Sequence, residues 1–306
     1  MRQRRYFVAG ATGKQGGAVA RQLLARGHRV RIYTRNPGGP QARLLQRLGA
    51  ELFAGGFDDP GPLERALHGC DGAFGMSCFT EGGVEVEVRQ ARRLVDAVQR
   101  AGVPHLVHGS IAGADRITGV AHLDSKFLIE RHLAHAGIRY TIVAPVFLME
   151  NWLAVIPSAV ARGAIRYPLP PGRVLQMVAV DDVAAFVRLA LERSVEFEHR
   201  RVEIAGDALT MERIAAVLGE AVRRPLAYRA VPLEGVWARS EELGRLCAWL
   251  DREGTRVDVD RLRTRYRDLG WTRLETWARR QDWRAVLGPA AGEAAPASRA
   301  WALAAR

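Results

Sequence analysis

Residues 7–17 read Phe7-Val8-Ala9-Gly10-Ala11-Thr12-Gly13-Lys14-Gln15-Gly16-Gly17, a short apolar run that meets glycines at the spacing G-x-x-G-x-x-G. A helical pattern over 18–26 follows and stops at Gly27. Each glycine has a physical task. Gly10 lets the chain turn sharply off a strand. Gly13, having no Cβ, lets backbone N–H groups approach a pyrophosphate. Gly16 lets the helix pack close to the sheet. The helix N-terminus adds partial positive charge. The competing reading is an ordinary glycine-rich turn, which leaves the strand before it and the helix after it without a common purpose.

The second strand, Arg29-Val30-Arg31-Ile32-Tyr33-Thr34, is followed by Arg35-Asn36-Pro37. Folds that prefer NAD place an acid at the end of this strand, where it accepts hydrogen bonds from the adenosine ribose and repels a 2′-phosphate. Here Thr34 and Arg35 stand in that place. A guanidinium pairs with phosphate through two hydrogen bonds and stacks on adenine. The expected cofactor is therefore NADP(H) before NAD(H), with Lys14 adding charge from the glycine loop. The chain has only two lysines, Lys14 and Lys126, among 45 basic residues. Surface cations are otherwise arginine, which suggests that a compact point charge is wanted at both positions.

Length and composition bound the rest. A chain of 306 residues with 48% hydrophobic content holds one large α/β domain and a small lobe. Apolar stretches are too short to span a bilayer, so no membrane partner is expected. Cys70, Cys78 and Cys247 have no metal-ligand spacing, and the chain enters a strand almost at once; a cytoplasmic protein with reduced thiols is expected. The net charge of +12 would suit an anionic cofactor. Aromatics are not interleaved with the arginine-dense segment 252–280, so nucleic-acid binding is not the expected role.

Helices are expected at 41–48, 61–68, 84–101 and 121–136, alternating with strands at 51–54, 72–76, 105–108 and 140–143. That alternation predicts an α/β fold, a Rossmann-like doubly wound parallel sheet with a smaller, mostly helical C-terminal lobe. The expected division is 1–150 for the nucleotide-binding domain, with 174–205 returning to it, and 151–173 plus 206–287 for the lobe. Asp181 is expected to cap a helix running to about 193. Residues 230–285 read as helical, and the tail 288–306, rich in Ala, Pro and Gly, as disordered.

Beyond the glycine loop and Thr34-Arg35-Asn36-Pro37, four further segments stand out: Phe57-Asp58-Asp59, His122-Leu123-Asp124-Ser125-Lys126, Phe147-Leu148-Met149-Glu150-Asn151 and Leu274-Glu275-Thr276-Trp277. Together and in this order they resemble the NmrA-like family of atypical short-chain dehydrogenases, and within it the HSCARG-type NADPH sensors, over about residues 5–285. The resemblance implies that Thr12, Gly13, Lys14 and Gln15 wrap the pyrophosphate and that Arg35 takes the 2′-phosphate. It implies that Ser77, Cys78 and Phe79 line the nucleotide cleft, and it adds Asp58 to the cofactor-binding set. Lys126 would reach the nicotinamide ribose and Asn151 the nicotinamide amide. The chain departs from the family at Gly56, where an acid is common, and at Cys78, where a polar amide is.

Many short-chain dehydrogenases use a Tyr four residues before a Lys on one helix, the Tyr acting as proton donor. Here His122 occupies that position and the Tyr is absent. Ser110, after the fifth strand, lies near where related reductases keep a catalytic Ser. Three readings follow: an NADP(H)-binding redox sensor that signals through a protein partner or a homodimer; an NADPH-dependent reductase of quinones, dyes or other small acceptors; and an adaptor with a vestigial loop. In the second, His122 or Lys126 is the candidate acid. Against these stands the plainer reading of His122 as a surface or capping histidine. No metal site is expected.

Overall fold

The computed structural model describes residues 2–79 and 82–288. The expected tail beyond Gly288 lies outside the described residues. By its internal contacts the chain divides into two units: 1–117, 122–145 and 180–203 in the first, and 118–121, 146–179 and 204–306 in the second.

The first unit opens with β1 (Arg5–Ala9), α1 (Lys14–Ala25), β2 (Arg29–Thr34), α2 (Pro40–Arg47), β3 (Glu51–Ala54) and α3 (Pro60–Leu67). It continues with β4 (Gly72–Met76), α4 (Gly83–Arg100), β5 (Leu106–Gly109), α5 (Ala121–His135) and β6 (Tyr140–Pro145). The chain then makes β7 (Phe147–Leu148), α6 (Trp152–Arg162), β8 (Ala164–Tyr167) and β9 (Val174–Val178) in the second unit. It returns for α7 (Val180–Glu192) and β10 (Arg200–Ile204), and leaves for β11 (Asp207–Thr210), α8 (Met211–Ala221) and β12 (Ala227–Ala230). The helices α9 (Leu233–Trp237), α10 (Glu241–Arg252), α11 (Val259–Arg265), α12 (Leu274–Arg279) and α13 (Trp283–Leu287) complete it.

Seven strands form one sheet in the order β10-β6-β5-β4-β1-β2-β3. Those from β6 through β3 are all parallel. Their sequences explain the placement: Tyr6-Phe7-Val8-Ala9 is buried throughout, as a strand covered on both faces must be. α1 and α7 pack together on one face and α3 and α4 on the other. A Cβ at Gly75 of β4 would collide with Leu94, so glycine here lets α4 lie close to the sheet. The doubly wound sheet expected from the sequence is present. Strand order reverses between β1 and β4, and in such sheets the crevice outside the carboxyl ends of those two strands is where ligands bind.

The second unit holds a three-stranded sheet, β11-β9-β7, and a parallel pair, β12-β8. Its core gathers Trp152, Ile156, Met211, Ile214, Leu218, Leu274 and Trp277. Trp152 and Tyr167 are core residues here, with ring centroids 5.8 Å apart. Because β9 pairs with β7 and β11, the chain re-enters the first unit at Val180. Asp181 and Asp182 lie in the first turn of α7, inside a helix that begins at Val180, so neither occupies the cap position. The reading of 230–285 as helical holds in pieces, because turns at Gly254 and Gly270, both at positive φ, interrupt it.

Candidate functional site

The loop from β1 to α1 is built by its glycines. Gly10 has a φ of 64°, a left-handed conformation that favours glycine, and its carbonyl accepts from Gly13 N–H at 2.9 Å. A Cβ on Gly16 would stand 2.6 Å from the Gly10 carbonyl carbon and 2.9 Å from the Ala9 oxygen, so any side chain there would push α1 off the loop. Gly13 caps α1 with extended backbone and no side-chain hydrogen bond, and the first turn carries no acid. Thr12, Gly13 and Lys14 are exposed and Gln15 is half-buried. The result is an N-terminus of twelve helical residues with no side-chain cap and a lysine at its first position.

At the end of β2, the Thr34 hydroxyl accepts from Asn36 N–H at 3.1 Å, which turns the chain and leaves Arg35 exposed. The stem of Arg35 runs beside Gly56, where an added Cβ would be 3.5 Å from Arg35 Cγ. That is ordinary packing distance, so Gly56 flanks the arginine stem without being required by it. Asp58 sits nearby in sequence but is engaged by Arg93 and Arg89 of α4.

After β4 come Ser77, which is buried, and Cys78 and Phe79, which are half-buried. Phe79 stacks on His122 in the first turn of α5, centroids 4.9 Å apart and planes 20° from parallel. One turn further along α5, Lys126 Nζ donates to the Ser77 carbonyl oxygen at 2.6 Å. It also pairs with a Glu87 carboxylate oxygen, again at 2.6 Å. The other Glu87 oxygen accepts from Ser125 Oγ at 2.7 Å, and the Glu87 side chain is entirely buried. The structure therefore brings Ser77, Phe79, His122 and Lys126 together at the carboxyl end of β4, beside the glycine loop's own strand.

Glu87 was not singled out by sequence. A signal existed: it is the one acid at a buried position of α4, in phase with Ala91, Leu94 and Val98. A second buried acid, Glu130 of α5, also escaped notice. It accepts from the Ser110 hydroxyl and pairs with Arg201 of β10 at 2.9 Å. Ser110 is thus turned toward Glu130. Arg201 further binds Glu203, Asp115 and the Ile111 carbonyl oxygen, and Glu203 accepts from Gly113 N–H at 2.7 Å. This network clamps the loop after β5.

His105, just before β5, and His108 within it both have pKa values pushed down by burial. His105 donates to Thr141 Oγ1 at 2.9 Å, and that hydroxyl donates to the Phe197 carbonyl oxygen. Burial, with Arg139 and His199 nearby, pushes its pKa down to about 4. His108 is fully buried with no hydrogen-bond partner for either ring nitrogen among the described residues, and burial with the Lys126 charge pushes its pKa down to about 3. Burial pushes the Cys70 and Cys247 thiols up, to about 11 and 12, which makes them poor nucleophiles. His132 pairs with Asp96 at 2.8 Å. No cluster of three or more His, Cys, Asp or Glu able to hold a metal exists among the described residues. Nor is any helix among them long and apolar enough to cross a membrane.

In the second unit, Asn151 lies buried just before α6, and its side-chain Oδ1 has no hydrogen-bond partner among the described residues. A buried amide oxygen without a donor is costly unless something supplies one. The residues of the first unit fit a dinucleotide: a helix N-terminus without a side-chain cap, a glycine loop in which Gly16 leaves no room for a Cβ, two exposed cations and a fixed ammonium.

Known proteins share this fold. An NAD(P)H azoreductase of Xenophilus azovorans is 30% identical over 236 residues, 74% of this chain and 77% of its own. The Escherichia coli NADPH-dependent quinone oxidoreductase, solved with NADPH, superposes with a TM-score of 0.75 at 24% identity, covering 90% of this chain and 98% of that one. The negative transcriptional regulator NmrA, solved with NADP, superposes at 0.76 and 20% identity, covering 92% and 95%. The profile of the NmrA-like family matches residues 3–277, and the chain belongs to that family.

Proposed function

We propose that this chain binds NADP(H) in the crevice outside β1 and β4 and acts as a redox-responsive regulator. The carrying observation is the convergence of the uncapped α1 N-terminus, Arg35 beside Gly56, and the Lys126 ammonium fixed at the end of β4. Thr12, Gly13, Lys14 and Gln15 would hold the pyrophosphate, Arg35 the 2′-phosphate, and Lys126 the nicotinamide ribose. Ser77, Cys78 and Phe79 would line the cleft. Asp58, engaged by Arg93, would act by holding the adjacent turn. The coenzyme supplies hydride chemistry when bound.

The chain's own groups are poorly arranged to supply a proton. The position of the usual Tyr is held by His122, which stacks on Phe79, while Ser110 donates to Glu130 and Lys126 is held in an ion pair with Glu87. This favours binding and signalling, with output to a protein partner or through a homodimer, over carbonyl reduction by a poised acid. A second reading is reduction of quinone- or azo-type acceptors, whose reduced forms take protons from water. The 30% identity to an azoreductase supports it.

Calorimetric titration with NADPH, NADP+, NADH and NAD+ tests the cofactor. Binding restricted to the phosphorylated pair supports the reading, and the absence of heat with all four overturns it. Following the reduced nicotinamide absorbance with a panel of quinones and azo dyes separates the two outputs. Turnover well above the protein-free rate selects the reductase.

A further inference from the structure

We propose that Glu87 is the counter-charge that sets the preference between oxidised and reduced coenzyme, by balancing the Lys126 ammonium beside the nicotinamide ribose. The inference deepens the NADP(H) reading and rests on it. It starts from an arrangement that a ribose ligand does not by itself require. A lysine that only donated to a sugar hydroxyl would need no buried acid. Here a wholly buried carboxylate stands 2.6 Å from the ammonium, and Ser125 saturates its other oxygen. The Ser77 carbonyl oxygen fixes the same ammonium from the strand side. Both charges are sheltered from water, the lysine side chain being 12% exposed, so solvent screens them weakly. The imidazole behind them, His108, is neutral and has no hydrogen-bond partner, so it does not serve as the counter-charge.

The two coenzyme forms differ in one respect that matters electrostatically. The nicotinamide ring carries a positive charge when oxidised and none when reduced, while the ribose, phosphates and adenine are common to both. A fixed charge near the ring therefore acts on the ratio of the two affinities. Hydrogen bonds to the ribose act on both forms and cancel from that ratio. With the pair intact, the ring faces a dipole. With either partner removed, it faces a net charge.

The test is a cycle of three variants, titrated calorimetrically with NADP+ and with NADPH at one ionic strength. Glu87→Gln leaves the ammonium unbalanced and should weaken NADP+ relative to NADPH by about five- to tenfold. Lys126→Met leaves the carboxylate unbalanced and should move the ratio the opposite way, even as both forms lose the ribose contact. The double variant should return the ratio to near that of the unmodified protein. Structural damage would weaken both forms together, and it would not produce shifts of opposite sign. Where Glu87→Gln alone does not fold, the step from Lys126→Met to the double variant carries the same test, because it removes the carboxylate with the ammonium already gone. An unchanged ratio, or shifts of the same sign in both single variants, overturns the proposal while leaving the coenzyme reading intact. Absence of binding by the unmodified protein to either form overturns both.

Discussion

Two buried carboxylates of the first unit, Glu87 and Glu130, sit on neighbouring helices, and each pairs with a cation. They have different surroundings. Glu130 meets Arg201, whose planar fork is also spent on Glu203, Asp115 and the Ile111 carbonyl oxygen. Every partner is a fixed part of the fold, so this cluster acts as a clamp. Glu87 meets Lys126, a point charge with three donors, at the end of the strand that borders the nucleotide crevice. A guanidinium suits a saturated planar network, whereas this ammonium holds two close acceptors, Glu87 and the Ser77 carbonyl oxygen, and its third, the Ser77 hydroxyl, lies at a longer 3.4 Å. In a chain with only two lysines, that difference explains why one of them is here.

The sharpest way to break this contrast is to remove each cation. Arg201→Ala strands Glu130 in a buried site and unfastens the β5 loop, and should cost about 3–5 kcal/mol in denaturant unfolding. Its cofactor affinity under native conditions should stay within about twofold of the unmodified protein, a change of less than half a kcal/mol. Lys126→Met should instead lower affinity for both coenzyme forms. If Arg201→Ala abolished binding while leaving stability unchanged, the clamp and the site would have to exchange roles.

His105 and His108 extend the comparison to acid. Both have folded pKa values below the ordinary 6.5, at about 4 for His105 and about 3 for His108. As pH falls below 6.5 the unfolded chain takes up protons that the folded chain refuses. Stability is therefore fully present above that value and is lost as pH drops toward the folded pKa. The slope is about 1.4 kcal/mol per pH unit for each histidine, continuing to about pH 4. His108→Leu should halve that slope at little cost near neutrality, because neither ring nitrogen makes a hydrogen bond. His105→Leu should also halve it but lose the bond to Thr141. Equal slopes in the unmodified protein and His108→Leu would mean that His108 is protonated in the fold.

At the adenine end the expected effect is smaller and specific. Arg35→Asp replaces a phosphate-binding fork with a repelling charge and should weaken NADPH by about ten- to a hundredfold, with NADH little affected. Calorimetry with the two coenzymes reads it directly. Equal losses for both would remove Arg35 from the 2′-phosphate.

What the sequence made legible follows from how local the signals are. The glycine loop, the end of β2 and the parallel sheet were readable because each depends on adjacent residues or on a regular alternation of strand and helix. β7, β8, β9, β11 and β12 were not recognised as a set, since they lack the regular alternation with helices that made strands as short as β3 and β5 readable. Lys126 was readable from its rarity and motif, but its partner Glu87 lies 39 positions away on another helix, and only packing brings them together. Ser110 shows the opposite failure. Its position suggested catalysis, and the Glu130 carboxylate that turns its hydroxyl away comes from a distant segment.

The smallest expected effect probes how firmly the clamp holds its loop. Ile117 ends the segment pinned by Arg201 and Glu203, and it sits at φ 52° and ψ 73° with 79% of its surface exposed. A β-branched side chain in this left-handed region costs about 1–2 kcal/mol, and an exposed isoleucine recovers little of that by burial. Glycine adopts the conformation without strain but gives back part of the gain through a freer unfolded chain. Ile117→Gly should therefore stabilise the protein by about 0.5–1 kcal/mol in urea unfolding, leaving coenzyme affinity unchanged. In an Arg201→Ala background the loop is free to relax and the gain should vanish. A gain that persisted there would show that the strain at Ile117 arises within its own turn, and the Glu130–Arg201 network would then be a brace for β10 and α5 alone.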